Sequence, residues 1–144
     1  MRKKAHALFL SVCLALSLAV PAQAANTELA INAPDELPDV GEKFAVTVDI
    51  SNNPGIAAAE FTLTFDDNVV ECVQVVMGAS FAGMLSAANP KADEGAMLAA
   101  VSTTEQTKDG TLATYVFRVL SNDDAEFGIK NIQLSDEKGR ELSV

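Results

Sequence analysis

The stretch GIAAAEFTLTFDDNVVE, Gly55 to Glu71, decides the fold. Within it Phe61, Leu63 and Phe65 alternate with Glu60, Thr62 and Thr64, the period of two that marks a strand with one dry face and one wet face. Asp66-Asp67-Asn68 then ends the strand, because short polar side chains bond their own backbone and tolerate turn dihedrals. Another extended run, Val69-Val70-Glu71-Cys72-Val73, follows at once. A surface strand with an ordered polar row beside a tight turn suits adhesion to a partner. Nothing in it suggests chemistry on a substrate.

Similar patterns recur on both sides of this stretch. Strands are predicted at Glu28–Asn32, Lys43–Ser51, Ala58–Phe65, Val69–Val76, Gly95–Thr103, Thr111–Leu120 and Phe127–Ser135. Gly41-Glu42, Asn52-Asn53-Pro54-Gly55, Lys108-Asp109-Gly110 and Asp136-Glu137-Lys138-Gly139 separate them with turn residues. Evenly spaced short strands of this kind build an all-β sandwich or barrel. Phe44, Val46, Val48 and Ile50 form one core row, and Ala113, Tyr115, Phe117 and Val119 form another. Only Phe81–Ala88 reads as a short helix, and Gly83 lowers its propensity.

The chain begins as an export signal. Arg2, Lys3 and Lys4 precede an apolar run, Leu8–Val20, that is too short to span a bilayer, and Ala22-Gln23-Ala24 has the small-x-small pattern of a signal-peptidase site. Residues 1–24 are therefore expected to be removed, leaving a secreted domain over 25–144 with no membrane span. A domain of roughly 120 residues buries about two-thirds of its unfolded surface without help from metals or disulfides. Cys72 is the one cysteine left after such processing, so no internal disulfide forms, and its Val-rich strand marks it as a buried small hydrophobe.

Charge and residue types exclude several functions. Processing takes three of the ten basic residues and none of the twenty acidic ones, which leaves a net charge of −13. Such a surface repels phosphate backbones and anionic lipids, so neither nucleic acid nor membrane is the expected partner. His6, the single histidine, leaves with the leader, so the mature chain has no Ser-His or Cys-His pair and no histidine metal site. Glu60, Asp66, Asp67, Glu71, Asp109 and Asp136 lie on turns or outer faces, not in the shielded cleft that a carboxylate-pair glycosidase needs. Asp66-Asp67-Asn68 and Asn122-Asp123-Asp124 lack the ligand spacing of a calcium loop, so no metal and no cofactor is expected. With no Trp, and with Tyr115 on a core row, the chain also lacks an aromatic strip for a sugar ring.

Several segments, in order, resemble the cohesin domain of cellulosomal scaffolding proteins. They are Asn53-Pro54-Gly55-Ile56-Ala57, Glu60-Phe61-Thr62-Leu63-Thr64-Phe65-Asp66, Asn68-Val69-Val70-Glu71, Phe81-Ala82-Gly83-Met84-Leu85, Asn89-Pro90 and Thr107-Lys108-Asp109-Gly110-Thr111-Leu112-Ala113. Val40-Gly41-Glu42 and Leu134-Ser135-Asp136 fit as well. The resemblance implies a jelly-roll sandwich of about nine strands. It implies a non-catalytic module that grips a dockerin, a small calcium-loaded helical domain on a secreted enzyme, within extracellular polysaccharide-degrading assemblies. Ala58, Glu60, Ala88, Leu98, Ala100 and Thr103 match positions that contact the dockerin. Ala58, Ala88, Ala99 and Ala100 stand where longer side chains occur in the family, which trims the expected anchors. The family continues past Glu141-Leu142-Ser143-Val144 into one more strand, so either a shortened last strand or a fragment of a longer chain is expected here. Direct carbohydrate binding, or a structural or adhesive surface role, is the alternative.

Overall fold

A computed structural model describes residues 26–144. The expected leader, with Ala22, Ala24 and His6, lies outside the described residues. Eight strands form: β1 (Glu28–Asn32), β2 (Lys43–Ser51), β3 (Ile56–Thr64), β4 (Val70–Met77), β5 (Leu85–Ala92), β6 (Gly95–Gln106), β7 (Gly110–Val119) and β8 (Gly128–Ser135). They pair antiparallel into two four-stranded sheets, β1-β2-β7-β4 and β5-β6-β3-β8, and no helix among the described residues is long and apolar enough to cross a membrane. All seven predicted strands form within a few residues of their expected bounds.

The inner faces of the two sheets make the core. Val46, Val48 and Ile50 of β2 and Ala113, Tyr115, Phe117 and Val119 of β7 meet Phe61 and Leu63 of β3 and Leu98 of β6, all buried. At one end Phe117 gathers other rings: Phe44 stacks on it at 5.6 Å, while Phe65 and Phe127 meet it edge-on at 4.9 and 5.2 Å. Such pairs add about 0.5–1.5 kcal/mol each beyond the area they bury.

The turn after β3 closes as its side chains require. Asp66 accepts hydrogen bonds from the Asn68 backbone N–H at 2.9 Å and from its side-chain amide at 3.0 Å, while the Asp66 carbonyl accepts from Val69 and Val70. At the other end of β3, the Asn53 backbone N–H donates to Asp109 Oδ1 at 2.9 Å and its side chain donates to the Lys108 carbonyl at 3.0 Å. Two turn segments 56 residues apart in sequence are thereby tied together.

Two expectations are corrected. Phe81–Ala88 is not a helix: a single 3₁₀ turn, Ala79–Phe81, precedes β5, which pairs with β6 from Leu85 through Asn89. The residues over Leu85–Ala92 are poor strand formers, but β6 supplies the backbone partners that decide their conformation, and Pro90 is tolerated because β5 is an edge strand. Thr62, expected to be wet, is buried, because β3 is a central strand and Thr62 stands between Met97 on β6 and Lys130 on β8. The place of the ninth strand is marked by one bridge, Ser135 to Glu141, and by the Leu142 N–H donating to the Leu134 carbonyl at 2.8 Å.

Candidate functional site

Side-chain alternation places a second set of residues on the outer face of the β5-β6-β3-β8 sheet. Across β3 and β6, Ala58 opposes Val101, Glu60 opposes Ala99 and Thr62 opposes Met97. On the β5 side Leu85 opposes Val101 and Ala87 opposes Ala99; on the β8 side Gln133 opposes Glu60 and Ser135 opposes Ala58. The centre of this face is a strip of alanines with the exposed apolar side chains Leu85, Val101 and Met97 around it. Small residues leave a shallow depression of about 820 Å³ over Ala58, Glu60, Ala87, Ala99 and Gln133. A second, more polar depression shares Glu60 and Gln133 and runs to Met97, Asp93 and Glu94.

The hairpin joining β5 to β6 is held down at the polar end. Glu94 takes an ion pair from Lys130 at 3.2 Å and a hydrogen bond from the Asn131 side chain at 3.1 Å, and Asn131 adopts a positive φ of 53° to reach it. The Lys130 hydrogen bond, with help from Asn131 and the Lys130 charge, holds the Glu94 carboxyl below its usual range. Gly95 closes the hairpin at φ 140°, and a Cβ there would sit 2.2 Å from the Leu63 carbonyl oxygen, so no other residue fits.

At the opposite rim the chain after β8 folds around Asp136. Its Oδ1 accepts from the Lys138 and Arg140 backbone N–H groups, both at 2.9 Å, and its Oδ2 pairs with the Arg140 guanidinium at 2.6 Å. The Arg140 backbone bond, then the Arg140 side chain and the Lys138 backbone bond, hold the Asp136 carboxyl below its ordinary range against the opposing effect of burial. This turn delivers Glu141 to the bridge with Ser135, so that Glu141 borders both depressions.

The predicted contact residues divide. Glu60 is exposed at the middle of the outer face, with Ala58 half-buried beside it, and Thr103 is exposed where β6 bulges before Gln106 pairs with Ile56. Ala88 is exposed on the edge strand, but it opposes Leu98 and so belongs to the inward-facing set. Leu98 and Ala100 are corrected: they are 1 % and 5 % exposed, because each pairs with a core residue of β3, Phe61 and Ala59 respectively. Their neighbours Met97, Ala99 and Val101 take the outer positions, and alternation along β6 was the available signal. Sequence reasoning also missed Leu85, read as part of a helix, and Glu141, whose place on this face depends on the Asp136 turn.

A stiff sandwich that exposes a strip of small apolar side chains between carboxylates is built for protein association, the class that fold and surface define together. The cohesin-domain family model matches residues 27–140, and the chain belongs to the cohesin family. Cohesin domains are non-catalytic modules, so this is not an enzyme. No curated protein matches the chain. Among solved structures, a non-cellulosomal cohesin from the archaeon Archaeoglobus fulgidus superposes with a TM-score of 0.73 at 20 % identity, over 83 % of this chain and 84 % of that one. The sixth cohesin of scaffoldin B from Acetivibrio cellulolyticus, solved in complex with a mutant Cel5 dockerin, gives 0.69 at 21 % identity over 83 % and 92 %. A type I cohesin–dockerin complex from Clostridium thermocellum, Coh-OlpA-Doc918, gives 0.66 at 17 % identity over 83 % and 92 %. At these identities the likeness is one of fold.

Proposed function

We propose that the outer face of the β5-β6-β3-β8 sheet binds the dockerin of a secreted protein, and that the chain acts outside the cell in an assembly of the cellulosome type. The observation that carries this reading is the flat alanine strip with Glu60 at its centre and Leu85, Val101 and Met97 exposed around it. A rigid sheet loses little conformational entropy on binding, and small side chains let a helix of the partner lie close, so that affinity comes from fit at a desolvated centre. Two solved relatives, from Acetivibrio cellulolyticus and Clostridium thermocellum, carry dockerins, which supports the same partner here. In this reading any calcium belongs to the dockerin.

Secretion rests on the leader over residues 1–24, with cleavage after Ala24. Direct polysaccharide binding is the weaker reading, because every aromatic side chain among the described residues is buried or half-buried. Calorimetry of the processed domain against a panel of dockerins in calcium tests the proposal. Saturable one-to-one binding to at least one member, lost on Glu60→Lys or Val101→Asp, is the expected result. Binding to none of them, together with retardation in a gel containing soluble glucan, would replace the dockerin with a glycan.

A further inference from the structure

We infer that β1 pairs antiparallel with β1 of a second copy of this chain, joining two four-stranded sheets into one across a two-fold axis at Ala30. The inference goes beyond the dockerin reading and does not rest on it. β1 ends the β1-β2-β7-β4 sheet, and among the described residues β2 is its one hydrogen-bonded neighbour. The sandwich is closed along one side, where β4 meets β5, and open along the other, where the edges β1 and β8 make no comparable contact. The inward rows show the difference. Val46, Val48 and Ile50 on β2 are buried, whereas Leu29 and Ile31 on β1 pack against the core and are still only half-buried.

The other three edges carry features that discourage a new partner. Register shifts interrupt β4 between Cys72 and Gln74, β5 between Asn89 and Ala92, and the pairing of β8 with β3 between Glu60 and Thr62. Pro90 and Lys91 blunt β5 further, and the bridge to Glu141 occupies the end of β8. Bulges, prolines and lysines are the usual means of keeping an edge from pairing. β1 has none of them. All five of its residues pair with β2 in unbroken register, from Glu28 opposite Ser51 to Asn32 opposite Thr47.

The sequence of β1 is complementary to its own reverse. An antiparallel copy in which Ala30 faces Ala30 sets Leu29 against Ile31 on the inner side and Glu28 against Asn32 on the outer side, so every residue of both strands is matched. A slip of one residue would set inward side chains against outward ones. No two carboxylates of β1 meet in this register, so the excess negative charge of the chain does not fall on the strand pair. The contact is isologous, each copy giving and receiving the same strand, and it closes at two. Since β1 belongs to the sheet opposite the proposed docking face, the pair presents that face twice.

Sedimentation equilibrium of the processed domain tests the pairing. Two five-residue strands make a small contact, so a weak and reversible monomer–dimer equilibrium is expected, with amide exchange over Leu29–Ile31 slowing as the concentration rises. Ala30→Lys sets like charges opposite each other at the axis and is expected to abolish the dimer while leaving the melting temperature unchanged. Asn32→Lys sets a cation against Glu28 of the second copy at both ends of the pair. It is expected to tighten the dimer about fivefold at low salt, a gain that high salt removes. A wild-type domain that stays monomeric at high concentration would overturn the inference, as would a dimer that neither substitution alters.

Discussion

Leu85 and Val101 stand directly opposite each other across β5 and β6, and they are 78 % and 52 % exposed. Single exposed apolar residues are ordinary, but these two adjoin Ala87, Ala99 and Met97 and make one continuous patch. Leu85→Asp and Val101→Asp are each expected to shift unfolding by no more than about 0.5 kcal/mol, as surface changes do. Each should weaken dockerin binding by about 2 kcal/mol if its side chain is an anchor. Paired denaturation and calorimetry separate the two effects, and a large loss of stability would mean that the patch is structural.

The opposite pattern is expected for the buried rows of β3 and β7. Phe61→Ala and Phe117→Ala each remove a fully buried ring and should cost about 3–5 kcal/mol in urea unfolding. Glu60→Ala, one residue from Phe61 but on the wet side, should leave stability unchanged. Comparable losses for all three would contradict the inward and outward rows of β3.

High pH should destabilise the fold. Burial pushes the Cys72 thiol from its ordinary 9.0 up to about 11, and burial, with the neighbouring Cys72, pushes the Tyr115 hydroxyl up as well. Both groups hold their protons more tightly when folded, so the stabilisation from Cys72 is complete below pH 9 and drains away as the pH climbs from 9 to about 11, while that from Tyr115 begins to drain only above its ordinary 10.0. Thermal melts across that range should show a falling midpoint, and Ellman's reagent should react with Cys72 only once urea is added. Fast modification of the native protein would show the thiol to be accessible.

Tyr115 offers a separate test. Its hydroxyl is buried with no hydrogen-bond partner among the described residues, and a buried polar group left unpaired costs about 1–3 kcal/mol. Tyr115→Phe should therefore raise stability by about 1 kcal/mol and remove part of the alkaline sensitivity. A destabilised variant would mean that the hydroxyl has a partner.

Acid should loosen the turn that carries Glu141. The folded-state pKa of Asp136 is depressed below its ordinary 3.8, so the stabilisation is present above that value and is lost as the pH falls through the depressed one. Exchange of the Lys138 and Arg140 amides, relative to their intrinsic rates at each pH, should accelerate below about pH 4. Asp136→Asn should produce the same acceleration at neutral pH, and protected amides in that variant would show the carboxylate to be dispensable.

Much of this architecture is legible in the linear chain, because it follows from local rules. Alternation in Lys43–Ser51 and Gly110–Val119 places their inward rows, and the Asp66-Asp67-Asn68 run makes its turn through bonds between neighbours in sequence. Cys72 is inside because its strand is apolar on that side. The export leader, too, is a reading of sequence alone.

Other features are settled by contacts between distant segments. Leu85–Ala92 has little strand preference of its own and becomes β5 because β6 presents an unpaired edge beside it. Thr62 is covered by residues from two neighbouring strands, and the outer set on β6 is Met97, Ala99 and Val101 because the β3 register turns Leu98 and Ala100 into the core. Glu141 reaches the face only through the turn built on Asp136. Hydrophobic period and turn residues are properties of adjacent positions, so the chain alone determined the sandwich and most of its strands. Register and rim are properties of pairs far apart in sequence, and tertiary packing alone decided which side chains face the partner.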